Sequence, residues 1–208
     1  MRKPSKSSKR WLSEHFSDPY VKRAQREGWR SRAVYKLQEL QEKYTLFKSG
    51  MVVVDLGAAP GGWSQLLTQW IGKKGKVFAL DILPMDPIAG VDSIEGDFTE
   101  QAVVNNLFDR MAGAKADWVV SDMAPNISGI DSIDQPRSMA LAELALDLAL
   151  NVLQPKGSFL VKIFQGEGVD SFLVEMKRRF QKVIIRKPKA SRDRSKEIYL
   201  LGIEKRDS

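Results

Sequence analysis

Met51-Val-Val-Val-Asp55-Leu-Gly57-Ala-Ala-Pro60-Gly61-Gly62-Trp63-Ser64 reads as a strand, a tight turn and the first turn of a helix. The run 51–56 is apolar except for Asp55. Unbroken Val and Leu runs mark strands buried on both faces of a parallel sheet, whereas half-exposed strands alternate. Gly57, Pro60, Gly61 and Gly62 then fall within a short span, and glycine lets the chain reverse and a ligand approach the backbone closely. Open α/β sheets bind ligands beyond the carboxyl ends of their strands, so this turn is the first candidate binding element.

Outward from it, apolar runs and helical segments alternate. KVFALDI (76–82), DWVVSDM (117–123) and SFLVKIF (158–164) read as further central strands, with helices over 62–71, 136–153 and 169–180. KVIIRK (182–187) and EIYLLGI (197–203) are joined by a stretch without a helical signal, which favours a closing antiparallel hairpin over another crossover. Upstream, Asp18-Pro19 suits a helix cap and first turn and Gly28 a stop, while Ala33, Leu37, Leu40 and Tyr44 stripe a second helix over 32–44. Residues 126–135 have the Asp, Ser and Gly content of a mobile loop.

The expected architecture is a single-domain α/β fold with helices on both faces of a mostly parallel sheet. The sheet domain spans 51–208, after a helical extension at 11–50 and a basic arm at 1–10 that is too polar to pack.

Charge divides the 208 residues into three blocks. Residues 1–50 carry +8, residues 51–176 carry −9 and residues 177–206 carry +9, within a net +7. Two basic ends flanking an acidic body fit a polyanion carried across a site for something cationic or neutral. The chain has no cysteine and one histidine, His15, so thiolate chemistry and Cys- or His-based metal sites are excluded and no metal is expected. Neither an apolar leader nor a run long enough to span a bilayer is present, and the expected setting is the cytoplasm.

The glycine turn comes near two phosphate-binding fingerprints and fails both. Ala59 replaces the second glycine of the dinucleotide pattern, and Trp63 replaces the lysine of the P-loop. A pyrophosphate would lose its main cation here. Acids recur where apolar segments end, at Asp81, Asp97 and Asp122. Asp81 follows Gly57 at close to the spacing at which an acid takes ribose hydroxyls in nucleotide-binding βαβ units. Singly, each acid reads as a cap or turn residue; together they converge on one rim.

Lys162 is the residue that fits least. It interrupts SFLVKIF, and lysine is seldom buried without a partner. Near the carboxyl end of a central strand it faces the ligand crevice and is a candidate base. Lys36, on the shoulder of the second helix, and Glu197, at the start of the last strand, read singly as surface charges.

SRAVYKL around Lys36, DLGAAPGGWSQ (55–65), ILPMDP (82–87), GDF (96–98), SDMAPN (121–126), VKIFQGEG (161–168) and KPKASRDRSKEIYL (187–200) together resemble the FtsJ/RrmJ family of ribose 2′-O-methyltransferases over nearly the whole chain. Val34-Tyr35 stands where relatives carry an aromatic pair, a difference confined to local packing. The resemblance implies a Rossmann-like class I S-adenosylmethionine-dependent methyltransferase with a mostly parallel seven-stranded sheet. It implies a catalytic tetrad at Lys36, Asp122, Lys162 and Glu197. It also implies an S-adenosyl-L-methionine site in which Gly61 and Trp63 shape the methionine end, Asp81 takes the ribose hydroxyls, Asp97 the adenine amino group, and Asp122 lies near the sulfonium.

By the same resemblance the second substrate is ribosomal RNA of the large subunit, methylated by a monomer at a uridine of the A-loop. Basic residues at 2–32, including Arg30 and Arg32, and Arg186, Lys187, Lys189, Arg192, Arg194 and Lys196 are candidates for phosphate contact. Trp11 and Trp29 are candidate base-stacking platforms or core residues. Competing readings are a transfer RNA or cap ribose methyltransferase, a catalytically silent ribosome-assembly factor, which the complete tetrad opposes, and a dinucleotide oxidoreductase, which Ala59 opposes.

Overall fold

A computed structural model describes residues 17–192 and 194–207. The expected arm at 1–10, and Trp11 and His15 of the expected helical extension, lie outside the described residues. Helices α1 (Pro19–Glu27) and α2 (Val34–Tyr44) precede β1 (Val52–Leu56), α3 (Gly62–Ile71), β2 (Lys76–Asp81) and β3 (Val91–Glu95). Then come α4 (Gln101–Met111), β4 (Ala116–Ser121), α5 (Asp131–Val152), β5 (Leu153–Phe164), α6 (Val169–Arg179), β6 (Phe180–Arg186) and β7 (Glu197–Lys205). The seven strands form one sheet in the order β3-β2-β1-β4-β5-β7-β6. Strand β7 runs antiparallel to both β5 and β6, and the other pairings are parallel. This is the mostly parallel seven-stranded sheet with a closing antiparallel strand that the sequence implies.

Adjacent residues of each central strand enter different cores because strand side chains alternate between faces. Val54, Phe78, Val119 and Phe159 pack with α5 and α6 through Leu146, Ala149, Phe172 and Met176. Val53, Val77, Trp118 and Leu160 pack on the other face with α2 and α3 through Leu37, Leu40, Trp63 and Leu67. Residues of α1 and α2 therefore share a core with the sheet. Asp18 caps α1 by accepting from Tyr20 N (2.9 Å), and Gly28 closes the helix in the left-handed region at φ +76°.

Register gathers the candidate residues. Leu56 is level with Leu80 and with Ser121, and Ser121 with Val161. The residues one step further along, Gly57, Asp81, Asp122 and Lys162, consequently emerge side by side at the carboxyl rim. Across the antiparallel pair, Lys162 stands opposite Tyr199 and Phe164 opposite Glu197. Reversal of β7 is what brings the start of that strand, and so Glu197, to the rim where the parallel strands end.

Two expectations need correction. Residues 126–135 are not wholly loop, because α5 begins at Asp131. Its first turn forms ahead of Pro136, and the Asp134 carboxylate ties it to the preceding turn by accepting from Ser128 N, Ser128 Oγ and Gly129 N (2.8, 2.8 and 2.9 Å). Strand β5 begins at Leu153, five residues before the apolar run, and its pairing with β4 shifts register between Ala116 and Trp118.

Candidate active site

The four residues of the implied tetrad meet as two interlocked pairs. Lys162 Nζ donates to the Asp122 carbonyl oxygen (2.5 Å) and lies 3.0 Å from Asp122 Oδ1. Lys36 Nζ lies 2.8 Å from Glu197 Oε1 and 3.9 Å from Asp122 Oδ1. Lys36, Lys162 and Glu197 are all buried, which charged side chains tolerate only when paired.

Tyr199, whose position in the strand gave no functional signal, completes the cluster. Its hydroxyl donates to Asp122 Oδ1 (2.5 Å) and its ring lies 5.6 Å from the Lys36 ammonium. Burial, with the Asp122 and Glu197 carboxylates beside it, pushes the phenol well above its ordinary pKa, so it remains a proton donor. Burial acts on Asp122 in the upward direction too, but the Lys162 and Lys36 ammoniums and the Tyr199 hydroxyl outweigh it and hold this carboxyl below its ordinary value. Asp122 is an anion held by two donors, Lys162 and Tyr199, with the Lys36 ammonium nearby.

Lys36 reaches the rim because α2 is pinned to the glycine turn. Trp63 Nε1 donates to the Ala33 carbonyl at the start of α2 (2.8 Å). Gly62 packs tightly beside it: a Cβ there would stand 2.6 Å from Ser31 Oγ and 3.3 Å from Val34 Cγ1. The Trp63 and Tyr199 rings lie 6.0 Å apart, so Trp63 links the turn to the charged cluster.

Gly61 holds φ +103°, and a Cβ on it would meet Ile88 Cδ1 at 2.6 Å and Met85 Sδ at 2.8 Å. The loop after β2 thus folds against the turn. Arg30 fastens the two: Nη1 donates to the Pro60 and Asp86 carbonyls (3.2 and 2.6 Å) and Nη2 to that of Pro87 (2.9 Å). Only the folded chain shows this strap.

The remaining acids keep local roles. Asp81 Oδ2 accepts from Ala59 N (2.9 Å) and Oδ1 from Leu83 N (2.8 Å); Asp97 Oδ1 accepts from Thr99 N (2.9 Å). Each oxygen retains a second lone pair for a ligand. Asp55 lies beneath the turn, fully buried, and accepts from Ser64 Oγ (2.6 Å). Burial, reinforced by the negative charges of Asp122 and Asp81, pushes its carboxyl up to about 7.

Beside the cluster opens a cleft of about 840 Å³, lined by Lys36, Lys162 and Glu197 together with Arg32, Arg192, Arg194 and Lys196 and with residues of 124–136. None of Gly57, Gly61, Asp81 or Asp97 lines it. The tetrad is therefore shared between two neighbouring regions, the acidic rim and a basic-walled cleft.

Not all the basic residues proposed for phosphate contact are available to it. Arg30 is engaged with backbone carbonyls, and Arg32 pairs with Asp18 and donates to the Ala190 carbonyl. Arg192 Nε stands 3.5 Å from the same Asp18 carboxylate, but its side chain stays one-third exposed and lines the cleft, so it remains open to a phosphate. Trp29 donates through Nε1 to Glu27 (3.1 Å) and packs partly buried against the α2 and α3 core, which favours the core alternative for it. Among the described residues no group of three or more metal-ligating side chains occurs, and no helix is long and apolar enough to cross a membrane.

The structure is thus an open α/β sheet with acids along its carboxyl rim and a lysine–carboxylate cluster beside a cleft. The chain matches the FtsJ-like methyltransferase model over residues 29–205 and belongs to that family. It is 60% identical over 202 residues to the ribosomal RNA large subunit methyltransferase E of Stenotrophomonas maltophilia, covering 97% of this chain and 96% of that one. The enzyme of the same name from Hydrogenovibrio crunogenus is 59% identical over 198 residues, with 95% and 96% covered. A solved Plasmodium falciparum structure, assigned provisionally as a ribosomal RNA methyltransferase, superimposes with TM-score 0.76 at 29% identity over 86% of this chain and all of that one. A Clostridium thermocellum structure with TM-score 0.56 and 21% identity, covering 82% of this chain and 97% of that one, shares the fold.

Proposed function

We propose that the protein transfers a methyl group from S-adenosyl-L-methionine to the 2′-hydroxyl of a uridine in large-subunit ribosomal RNA, in the A-loop of the assembled subunit, acting as a cytoplasmic monomer. The observation that carries the reaction type is the Lys162–Asp122 geometry. To act as a base the Lys162 ammonium first releases a proton to solvent, and the neutral amine so formed has two N–H bonds and one lone pair. The Asp122 carbonyl oxygen and Oδ1, at 2.5 and 3.0 Å from Nζ, can accept both N–H bonds and leave the lone pair for a substrate proton.

The donor set fits the cofactor. The turn offers no lysine to a phosphate, and Asp81, Asp97 and Asp122 supply acceptors suited to hydroxyls, an amino group and a positive centre. Gly57 and Gly61 are both overlain by the protein's own side chains, Gly57 by Met123 and Gly61 by Ile88 and Met85, so glycine at these positions is explained by packing, and the acids carry the argument for the cofactor. Gly61 and Trp63 would hold the methionine end, Asp81 the ribose and Asp97 the adenine, with Asp122 nearest the reaction. When bound, the cofactor supplies an electrophilic methyl group whose bond to sulfur breaks as the bond to the ribose oxygen forms, leaving S-adenosyl-L-homocysteine.

Lys162 takes the hydroxyl proton as that bond forms. Asp122, fixed by Tyr199, holds the amine in place, and its negative charge favours the positive charge that develops on Lys162. Glu197 pairs with Lys36, so that one lysine remains a cation near the ribose while the other works as the base. The curated relatives named for large-subunit ribosomal RNA support the choice of RNA.

The deciding experiment supplies methyl-labelled cofactor with undermethylated large subunits, free large-subunit RNA or transfer RNA, and maps the product. Label on one uridine 2′-oxygen, in the large-subunit sample, is expected. Label on a base, or on transfer RNA alone, overturns the assignment.

The basic wall makes a separate prediction. Reversing Arg192 and Lys196 to Glu should weaken RNA binding and lower the slope of log affinity against log salt by about 0.7 for each single-strand phosphate that is no longer neutralised. Titrations at several salt concentrations read both; an unchanged slope removes these residues from the interface.

A further inference from the structure

The segment that borders the cleft before α5 exposes isoleucines, and one of them, Ile127, lines the cleft itself. Ile127, Ile130 and Ile133 are 65%, 52% and 38% exposed and close together in the chain. They are held outward by a built turn. Asp134 accepts three hydrogen bonds from Ser128 and Gly129, Gly129 holds φ +85°, and Ile130 is the last residue before α5. The Ser128 backbone N–H, helped by the Ser128 hydroxyl and the Gly129 N–H, holds the Asp134 carboxyl below its ordinary pKa, so the turn is fastened by an anion at neutral pH. Clustered exposed isoleucines on a fixed turn mark a contact surface.

Its position narrows the partner. Ile127 lines the cleft with Ala124, Pro136 and Phe164, and the same cleft is lined by Lys162, Arg192 and Lys196. Lys196 Nζ meets Asp131 Oδ2 at 2.7 Å, joining the basic connection to the apolar lip. A ligand seated there meets cations, apolar carbon and three members of the lysine–carboxylate cluster within one cleft, together with the acids Asp131, Asp134 and Glu167. A nucleotide has that polarity: an anionic phosphate, a ribose hydroxyl and a π-face without charge.

We propose that Ile127, with Ala124, Pro136 and Phe164 beside it in the cleft lining, forms a platform for the unpaired base of the nucleotide whose ribose reaches Lys162, a step that rests on the methyl-transfer reading. In an RNA duplex both faces of a base are covered by stacking, so an apolar platform can be used only by a base that has left the stack. Isoleucine offers no side-chain hydrogen bond, and the lip therefore selects an exposed base without reading which base it is. Phosphates on either side fall to Arg192 and Lys196.

Two measurements on Ile127→Ser test it. With undermethylated large subunits, the KM for subunits should rise roughly tenfold, a loss of the size that withdrawing one buried aliphatic side chain from a contact produces. Affinity for S-adenosyl-L-homocysteine and the melting temperature should not move, and Ile127→Leu should restore KM. In the second, a short single-stranded RNA carrying 2-aminopurine should bind the wild type with a fluorescence change that the Ser variant loses. An unchanged KM together with an unchanged fluorescence response overturns the platform, as does a loss of cofactor affinity in its place. A raised KM for subunits with an intact oligonucleotide response assigns the lip to a ribosomal protein and also overturns it. A wild type that methylates no RNA overturns the methyl-transfer reading instead, and the oligonucleotide signal still reports on the lip.

Discussion

Lys162→Ala should reduce the rate of methyl transfer by on the order of a hundredfold or more while cofactor affinity stays near that of the wild type. The ribose hydroxyl is a weak nucleophile until its proton leaves, and Lys162 is the amine whose two hydrogen-bond acceptors both come from Asp122. Removing it also leaves Asp122 with the Tyr199 hydroxyl at 2.5 Å and the Lys36 ammonium at 3.9 Å, so the substitution disturbs the cluster as well as the chemistry. Lys162→Arg separates the two effects. Arginine keeps a cation beside Asp122 but does not give up its proton. A charge-balancing role would leave the Arg variant active; a base role leaves it as slow as the Ala variant and folded. Single-turnover transfer with saturating cofactor, measured beside homocysteine-product binding and thermal melting, distinguishes these outcomes. A Lys162→Ala rate within a few-fold of the wild type would remove the lysine from the reaction.

What the sequence made legible was the part of the fold built from unbroken apolar runs. Strands β1, β2, β4 and β5 and the β6–β7 hairpin are such runs, and each central one is buried on both faces, which is why no alternation was needed to find them. Strand β3 escaped because it lies at the sheet edge: in Val91–Glu95 only Ile94 is buried, a signal too thin for either periodicity. Helix α4 buries only Leu107 and Met111, one narrow stripe. The start of α5 was obscured because Asp, Ser and Gly around 128–134 look like loop composition, whereas here one of those acids fastens the helix to its entry turn.

At the site the distinction is between residues odd in their local setting and residues odd only in three dimensions. Lys162 was conspicuous because a central strand is no place for a lone ammonium. Lys36 and Glu197 were not, since a lysine on a helix shoulder and an acid opening a strand are ordinary surface choices. They become a buried pair only because β7 runs backward and α2 is pinned by Trp63. The family motifs, not the local pattern, drew these two residues into the tetrad. Tyr199 had neither kind of signal and Arg30 reads only as one of many phosphate candidates, because their partners are a carboxylate and carbonyls distant in sequence.

Asp55→Asn should make the protein more stable at pH 8 and leave it little changed near pH 4, and the sign follows from burial. Asp55 is sealed beneath the glycine turn with Ser64 Oγ as its hydrogen-bond partner, and desolvation lifts its carboxyl from the ordinary 3.8 to about 7. Well below pH 4 it is protonated in both the folded and unfolded chains and has no effect on stability. As pH rises from 4 to 7 the unfolded chain ionises while the folded one does not, so folding stability falls, and above 7 the loss levels off. A carboxyl displaced that far opposes folding at pH 8 by about 4 kcal/mol. The amide of Asn cannot ionise and its oxygen can still accept from Ser64, so the variant escapes the loss. Asp122 contributes in the opposite direction, since its lowered value stabilises the fold at neutral pH and that contribution is lost in acid. It is common to both proteins and cancels in their difference. Denaturant unfolding of each at pH 4, 6 and 8 should therefore show a stability gap that opens with pH and then becomes constant. A gap that is the same at all three would mean that Asp55 is ionised in the folded protein, and would require a cation or further donors at the turn to hold its charge.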